Sequence, residues 1–247
     1  MYTTQTAVFS IPLYIKLAEG LVSQIESGEL SPGDRLPPER DLSEQLGVNR
    51  MTLRRALRVL ESQGLVVRKH GVGTFISEPK IDRQMDVVFR FTRGMQRRGF
   101  TPGAKMISFE CVAVDASVSR DLDVPAASQA YKILRLRSIN QEPVMLESYI
   151  IPAGRFPEMD ACDLESRSIY EVMDTEYGVS IARARQSFEP VVASPFEAEL
   201  LQVWVGAPLM LEKRTSYDHE GRPVEYGRDR YRGDRFRFVT DAAPFDF

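Results

Sequence analysis

The chain has 247 residues, 43% of them hydrophobic and 27% charged, which suits two compact domains of ordinary globular composition. No apolar run approaches membrane-spanning length, and Met1 to Ser10 lacks the basic and apolar regions of a signal peptide, so no membrane association and a cytoplasmic location are expected. Two histidines and two cysteines at no ligand spacing exclude a His-rich zinc site; reduced, buried thiols at Cys111 and Cys162 and no metal or cofactor are expected.

The net charge of −3 argues against a nucleic-acid partner until it is divided along the chain. Residues 48–76 carry Arg50, Arg54, Arg55, Arg58, Arg68 and Lys69 against the single acid Glu61. Phosphate attraction follows the local field of a binding face, so an acidic remainder is no obstacle.

In chain order, Ile11 to Ser27 predicts a helix: Leu13, Leu17, Leu21 and Ile25 recur every four residues, Pro12 suits the first turn and Gly28 ends it. Pro38 to Leu46 predicts a second helix, with Leu42 and Leu46 inward and Glu39 in the first turn. Gly47 then fits the positive-φ position after a helix, and Asn49 caps a third, with Val48 and Leu53 as a hydrophobic staple. Leu53, Ala56, Leu57 and Leu60 keep the helical period, while Arg54, Arg55 and Arg58 fall on the opposite side. An arginine-rich face is most often only solvated. Here no acid occurs from Val48 to Leu60, and a face of Arg with Asn49 and Thr52 at the helix start suits phosphates and base edges in a major groove. Leu65–Arg68 and Thr74–Ile76 are β-prone around Lys69-His70-Gly71-Val72-Gly73, a hairpin whose glycines admit close backbone approach.

These residues carry a resemblance. Leu36-Pro37-Pro38-Glu39-Arg40, Gly47 to Leu57 and Gly71-Val72-Gly73-Thr74-Phe75 resemble the winged helix-turn-helix domain of GntR-family transcription regulators. The resemblance implies operator contacts at Arg40, Arg50 and Gly71. With the neighbouring segment, the candidate DNA-binding set is Arg40, Asn49, Arg50, Met51, Thr52, Arg54, Arg55, His70, Gly71, Val72 and Gly73. Pro38 departs from the family's usual Ser and removes a hydroxyl cap.

Residues 77–87 are expected to be a linker, and 88–247 an α+β domain of strands alternating with short helices. Phe91 to Gly99 reads as a basic loop and helical turn. Met106–Val114, Tyr131–Ile139, Val144–Ile151, Leu209–Tyr217 and Val224–Tyr231 read as strands. Two hairpins share a Pro-Val start to the return strand, at Pro143-Val144 and Pro223-Val224, with a Glu soon after: a weak internal duplication. Arg135 and Arg137, two residues apart on a strand, share a face. Either protein acids such as Glu147 neutralise them, or a phosphate or carboxylate ligand does. Ser168-Ile169-Tyr170-Glu171 reads as a capping box opening a helix that ends at Gly178, and Ser194-Pro195-Phe196-Glu197 reads likewise.

Residues 88–240 resemble the effector domain of the HutC subfamily, of chorismate lyase-like fold, and within it regulators of N-acetylglucosamine use. That resemblance implies effector contacts at Phe91, Thr92, Arg135, Arg137, Glu147, Ser168, Tyr170, Glu225 and Tyr231; Arg90 departs from the small polar residue usual there. The chain is thus read as α+β: a winged helix-turn-helix (1–76), a linker (77–87) and an effector domain (88–247). It is expected to be a homodimeric repressor, not an enzyme, released from double-stranded operator DNA by a small anionic effector such as an amino-sugar phosphate. The alternatives are a urocanate-like or other carboxylate effector, and a chorismate lyase-like enzyme using Glu147 and Glu225 as acid and base.

Overall fold

A computed structural model describes residues 11–69, 72–85 and 91–242, so His70, Gly71 and Arg90 lie outside the described residues. The chain divides between Pro79 and Lys80 into two compact units, each with its own core.

In the first unit, Leu13–Glu26 (α1), Glu39–Gln45 (α2) and Arg50–Ser62 (α3) are helical, and Val66–Lys69 (β1) pairs antiparallel with Gly73–Ile76 (β2). Arg35 bridges to Phe75, adding a short third edge to the hairpin. The helical period puts Leu53, Ala56, Leu57 and Leu60 on one face of α3, where they pack with Ala18 and Leu21 of α1 and with Leu36, Leu42, Val66 and Ile76. Each fully buried leucine contributes about 1.5–3 kcal/mol. Gly47, at φ +64°, ends α2: its N–H reaches the Glu44 carbonyl and the Val48 N–H the Ser43 carbonyl, a Schellman arrangement. Asn49 then accepts from the Thr52 N–H at 2.8 Å and fixes where α3 begins.

The second unit is built on a six-stranded antiparallel sheet in the order β4-β5-β6-β9-β8-β7, formed by Pro102–Ala113, Gln129–Ile139, Glu142–Pro152, Pro223–Arg232, Pro208–Tyr217 and Arg183–Val192 respectively. Helix α5 (Ala116–Leu122) joins β4 to β5 and α7 (Pro195–Leu201) joins β7 to β8, so two βαββ halves meet at the central pair β6 and β9. The repeated Pro-Val marks this duplication. Ser138 pairs with Pro143 and Tyr217 with Pro223, and each hairpin shifts register immediately before that pair. Arg135 and Arg214, each three residues earlier, therefore hold equivalent positions.

One sheet face carries α5 and α7. The other is covered by α6 (Ile169–Tyr177), by α4 (Phe91–Gln96) and by a small parallel sheet of β3 (Ile81–Gln84) and β10 (Phe236–Val239). Residues 81–84 of the expected linker are thus a strand of the second unit, with Ile81 and Arg83 inward and Asp82 and Gln84 outward. Alternating hydrophobicity in four residues, two of them charged, is too faint to read as a strand. Ser168 does precede α6, but its side chain makes no cap hydrogen bond, so the expected capping box is not formed. The box at Ser194 and Glu197 is complete. Cys111 and Cys162 are free, exposed and half-buried respectively, not buried as expected. Cys111 sits on β4, an edge strand, where apolar sequence neighbours do not enclose it.

Candidate functional site

On the first unit, the Asn49 cap presents the start of α3 with Arg50 at its first position, and no acid in that turn opposes an incoming anion. Arg50 and Arg55 are exposed and, among the described residues, neither they nor Arg58 make an ion pair. Met51 is 59% and Val72 50% exposed. Thr52 and Gly73 are half-buried. Arg40 is exposed beside Asp41 at 3.0 Å.

The expectation that the arginine face lacks acidic partners is corrected for one residue. Arg54 donates to Glu39 at 2.6 Å, and Arg68 lies 3.6 Å from Glu39 and 3.7 Å from Glu61. The partner comes from α2, out of reach of a reading confined to α3. Pro38 is the N-cap of α2 with no side-chain bond to its first turn. A cleft of about 380 Å³ runs between the loop before α2 and the hairpin, lined by Arg35, Pro38, Arg68, Val72 and Gly73. Gly73 has φ +145°, and a Cβ there would meet the Arg35 Nε at 2.9 Å. Arg35 therefore belongs with this surface; sequence reading passed over it, although it immediately precedes Leu36-Pro37.

On the second unit, the inward face of the sheet gathers eight of the nine predicted effector residues. Arg135 is fully buried, and its Nε donates to Glu147 at 2.9 Å while Nη1 donates to the Arg167 carbonyl at 3.1 Å. Arg137 donates to the same Glu147 oxygen at 3.1 Å, to Thr92 Oγ1 at 2.8 Å and to the Gly103 carbonyl, and its guanidinium stacks 4.4 Å from the Phe91 ring centre. The Tyr149 hydroxyl donates to the other Glu147 oxygen at 2.7 Å. Burial pushes the Glu147 carboxyl up, but Arg135 and Arg137 overcome this and hold it at about 2. The protein thus supplies one carboxylate for two guanidinium groups.

A second cluster adjoins the first through the Tyr149 ring, which has the Arg135 and Arg214 guanidinium carbons 5.9 and 5.5 Å from its centre. Tyr170 donates to Glu225 at 2.8 Å, and Arg214 donates to Glu225 at 2.9 Å and Asp229 at 2.8 Å. Tyr231 donates to Glu212 at 2.7 Å. Burial pushes the Asp229 carboxyl up, Arg214 pulls it back, and Glu147 and Glu212 add to the rise, leaving it at about 7. Arg214 Nη2 and Glu225 Oε2 are buried without a hydrogen-bond partner, and both lie within 3.0 Å of where a Cβ on Gly227 would stand. A donor and an acceptor thus face the same bare stretch of backbone. Ser168 is half-buried at the start of α6, beside the loop carbonyls that receive Arg135.

Sequence reading missed Tyr149, Glu212, Arg214, Ser216 and Asp229. The signal was available: Glu212, Arg214 and Ser216 are spaced two apart on one strand, as are Glu225 and Asp229 around Gly227, the same spacing that singled out Arg135 and Arg137. Among the described residues no group of three His, Cys, Asp or Glu could hold a metal ion, and no helix is long and apolar enough to cross a membrane.

A capped helix whose Arg50 and Arg55 make no ion pair among the described residues, beside a β-hairpin and joined in one chain to a separate domain with a buried cluster of arginines and carboxylates, fits a DNA-binding transcription regulator. Comparison with known proteins agrees. The family of bacterial regulatory proteins, gntR family, matches residues 13–76, and the UTRA domain matches 97–237. The chain is 38% identical to the HTH-type transcriptional repressor NagR of Bacillus subtilis, over 93% of this chain and 94% of that protein. It is 28% identical to the mannosyl-D-glycerate transport/metabolism system repressor MngR of Escherichia coli, over 94% and 96%. The crystal structure of PhnF from Mycobacterium smegmatis superposes with a TM-score of 0.65 at 27% identity, covering 94% of this chain and 99% of that one. The chain belongs to the GntR family and, like these relatives, is a transcription regulator, not an enzyme.

Proposed function

We propose that the protein is a cytoplasmic, homodimeric repressor whose residues 1–76 read an operator and whose residues 88–247, joined through 77–87, sense a small anionic effector. The leading effector class is an amino-sugar phosphate. The observation that carries this reading is the Arg135–Arg137 pair, buried and sharing the single carboxylate Glu147, with Thr92 and Phe91 against Arg137. At that end of the cluster two guanidinium groups face one carboxylate, a local excess of positive charge suited to a phosphate. Hydroxyl groups of a sugar have a matching donor and acceptor in Arg214 and Glu225. The repressor name of the 38% identical relative supports the direction of control. DNA contacts are assigned to Arg40, Asn49, Arg50, Met51, Thr52, Arg54, Arg55, His70, Gly71, Val72 and Gly73, and effector contacts to Phe91, Thr92, Arg135, Arg137, Glu147, Ser168, Tyr170, Glu225 and Tyr231. The effector acts by binding the DNA-releasing arrangement more tightly than the DNA-bound one.

The test pairs thermal shift with DNA binding. Glucosamine 6-phosphate, N-acetylglucosamine 6-phosphate and glucose 6-phosphate are compared with urocanate and other carboxylates. The stabilising compound is then added to the protein bound to an operator selected from a random duplex pool. An amino-sugar phosphate that raises Tm and releases the duplex supports the reading. Stabilisation and release by the carboxylates alone overturn the effector class.

A further inference from the structure

Strand β3 begins two residues after the boundary between the units, and so is the first piece of the second unit that the chain meets on leaving the DNA-binding one. Its hold on the second unit is unusual for so short a strand. Ile81 and the parallel pairing with β10 supply an apolar and a backbone anchor, and Asp82 adds a two-pronged bond to Arg237 at the surface. Beyond these, Arg83 is fully buried. Its guanidinium donates to Glu212 at 2.9 Å and to Gln186 at 3.1 Å, and lies 5.9 Å from the Phe188 ring centre. A buried ion pair is a weak source of stability, because desolvation offsets most of the attraction, and an apolar residue would anchor a strand at lower cost. Its presence here calls for another reason.

That reason lies in what else Glu212 binds. The oxygen that receives Arg83 also lies 3.5 Å from Arg214, and its other oxygen accepts from Tyr231. Arg214 in turn binds Glu225, which accepts from Tyr170. Arg83 is therefore separated from the proposed effector contacts Tyr231 and Glu225 by one and two side chains, all of them buried. Groups so enclosed interact far more strongly than in water. A ligand that draws on Glu225, Arg214 or Tyr231 changes what Glu212 shares with them, and so changes its grip on Arg83.

We propose that the buried Arg83–Glu212 pair is the latch through which occupancy of the sheet face is transmitted to the strand leading out of the DNA-binding unit. This rests on the effector reading above and adds to it how the site acts. Arg83 is a positioning residue that touches neither DNA nor ligand.

The full-length protein with Arg83→Met, which keeps the length and removes the charge, tests it. Anisotropy with the selected operator, with and without saturating glucosamine 6-phosphate, reads the coupling, and calorimetry reads ligand binding. The variant is expected to bind operator and ligand each within about threefold of the wild type. The ligand-induced loss of operator affinity, about 5–150-fold for a typical coupled pair of sites, should shrink towards 1. A full response in the variant overturns the latch; so does an equal loss of ligand affinity and response, which marks a merely structural role. Should Arg83→Met not fold, Arg83→Lys keeps the charge with one prong and is expected to halve the response or more, an undiminished response again overturning the proposal. If the wild type does not bind glucosamine 6-phosphate, the compound of the panel that stabilises it and releases the duplex takes its place in the same comparison, so that failure of the effector class and failure of the latch are read separately.

Discussion

Among the described residues Arg50 and Arg55 of α3 stand in solvent without ion pairs, whereas Arg135, Arg137 and Arg214 of the sheet are enclosed and held by carboxylates. The first group has no partner to lose, so a polyanion can engage it at little desolvation cost and with the salt sensitivity of counterion release. The second can take a new anion only by sharing or exchanging the carboxylate it already holds. The same side chain thus stands as an open cation on α3 and as an enclosed, paired one on the sheet, and burial decides between the two.

The contrast breaks most visibly at Glu147. Glu147→Ala leaves two guanidinium groups buried without their carboxylate and should cost about 3–5 kcal/mol, read as an earlier denaturant midpoint of the second unit with the first unaffected. Arg50→Ala, at the exposed end of the comparison, should leave both unfolding transitions in place and weaken operator binding by about 1–3 kcal/mol, measured by anisotropy. Equal operator affinity in that folded variant removes Arg50 from the interface. A smaller effect belongs to the Asn49 cap: Asn49→Ala should destabilise the first unit by about 1 kcal/mol, visible as a shift in its own melting step.

Proton linkage within the buried cluster offers a further test. Glu147, held at about 2, contributes stability that is fully present above its ordinary range and is lost as pH falls through the folded value. Asp229 works the other way. Its carboxyl keeps a proton in the fold up to about 7 while the unfolded chain has released it, so stability declines as pH rises from about 4 to 7. Urea unfolding across this range should therefore show a maximum in mildly acidic solution, and Asp229→Asn should flatten the slope above it. An unchanged slope in that variant means another group carries the titration.

The helices and hairpin of the first unit were legible from local signals, Gly47 at positive φ, the Asn49 cap and the four-residue period of α1, although Leu46, expected inward, and Leu13, at the start of that period, are 37% and 58% exposed. The second was legible in its long hairpins and in Arg135 and Arg137, whose two-residue spacing needs no tertiary knowledge. Other features were not. Arg54 finds Glu39 fifteen residues away and Arg83 finds Glu212 across 129 residues, pairings that only the fold creates. Strand β3 lacks an apolar alternation because one of its two inward positions is an arginine. Apart from Tyr149 on β6, the missed residues of the buried cluster lie on β8 and β9, where charge every second residue reads equally well as a solvated strand.

The pairing of β3 with β10 has a consequence for synthesis. The first 79 residues form a compact unit with a core of their own, whereas Ile81–Gln84 waits for Phe236–Val239, the other edge of its sheet, to leave the ribosome. The first unit can therefore be complete while the second is still an open chain. For that interval the nascent molecule carries a folded helical unit and a strand β3 with no β10 to pair with.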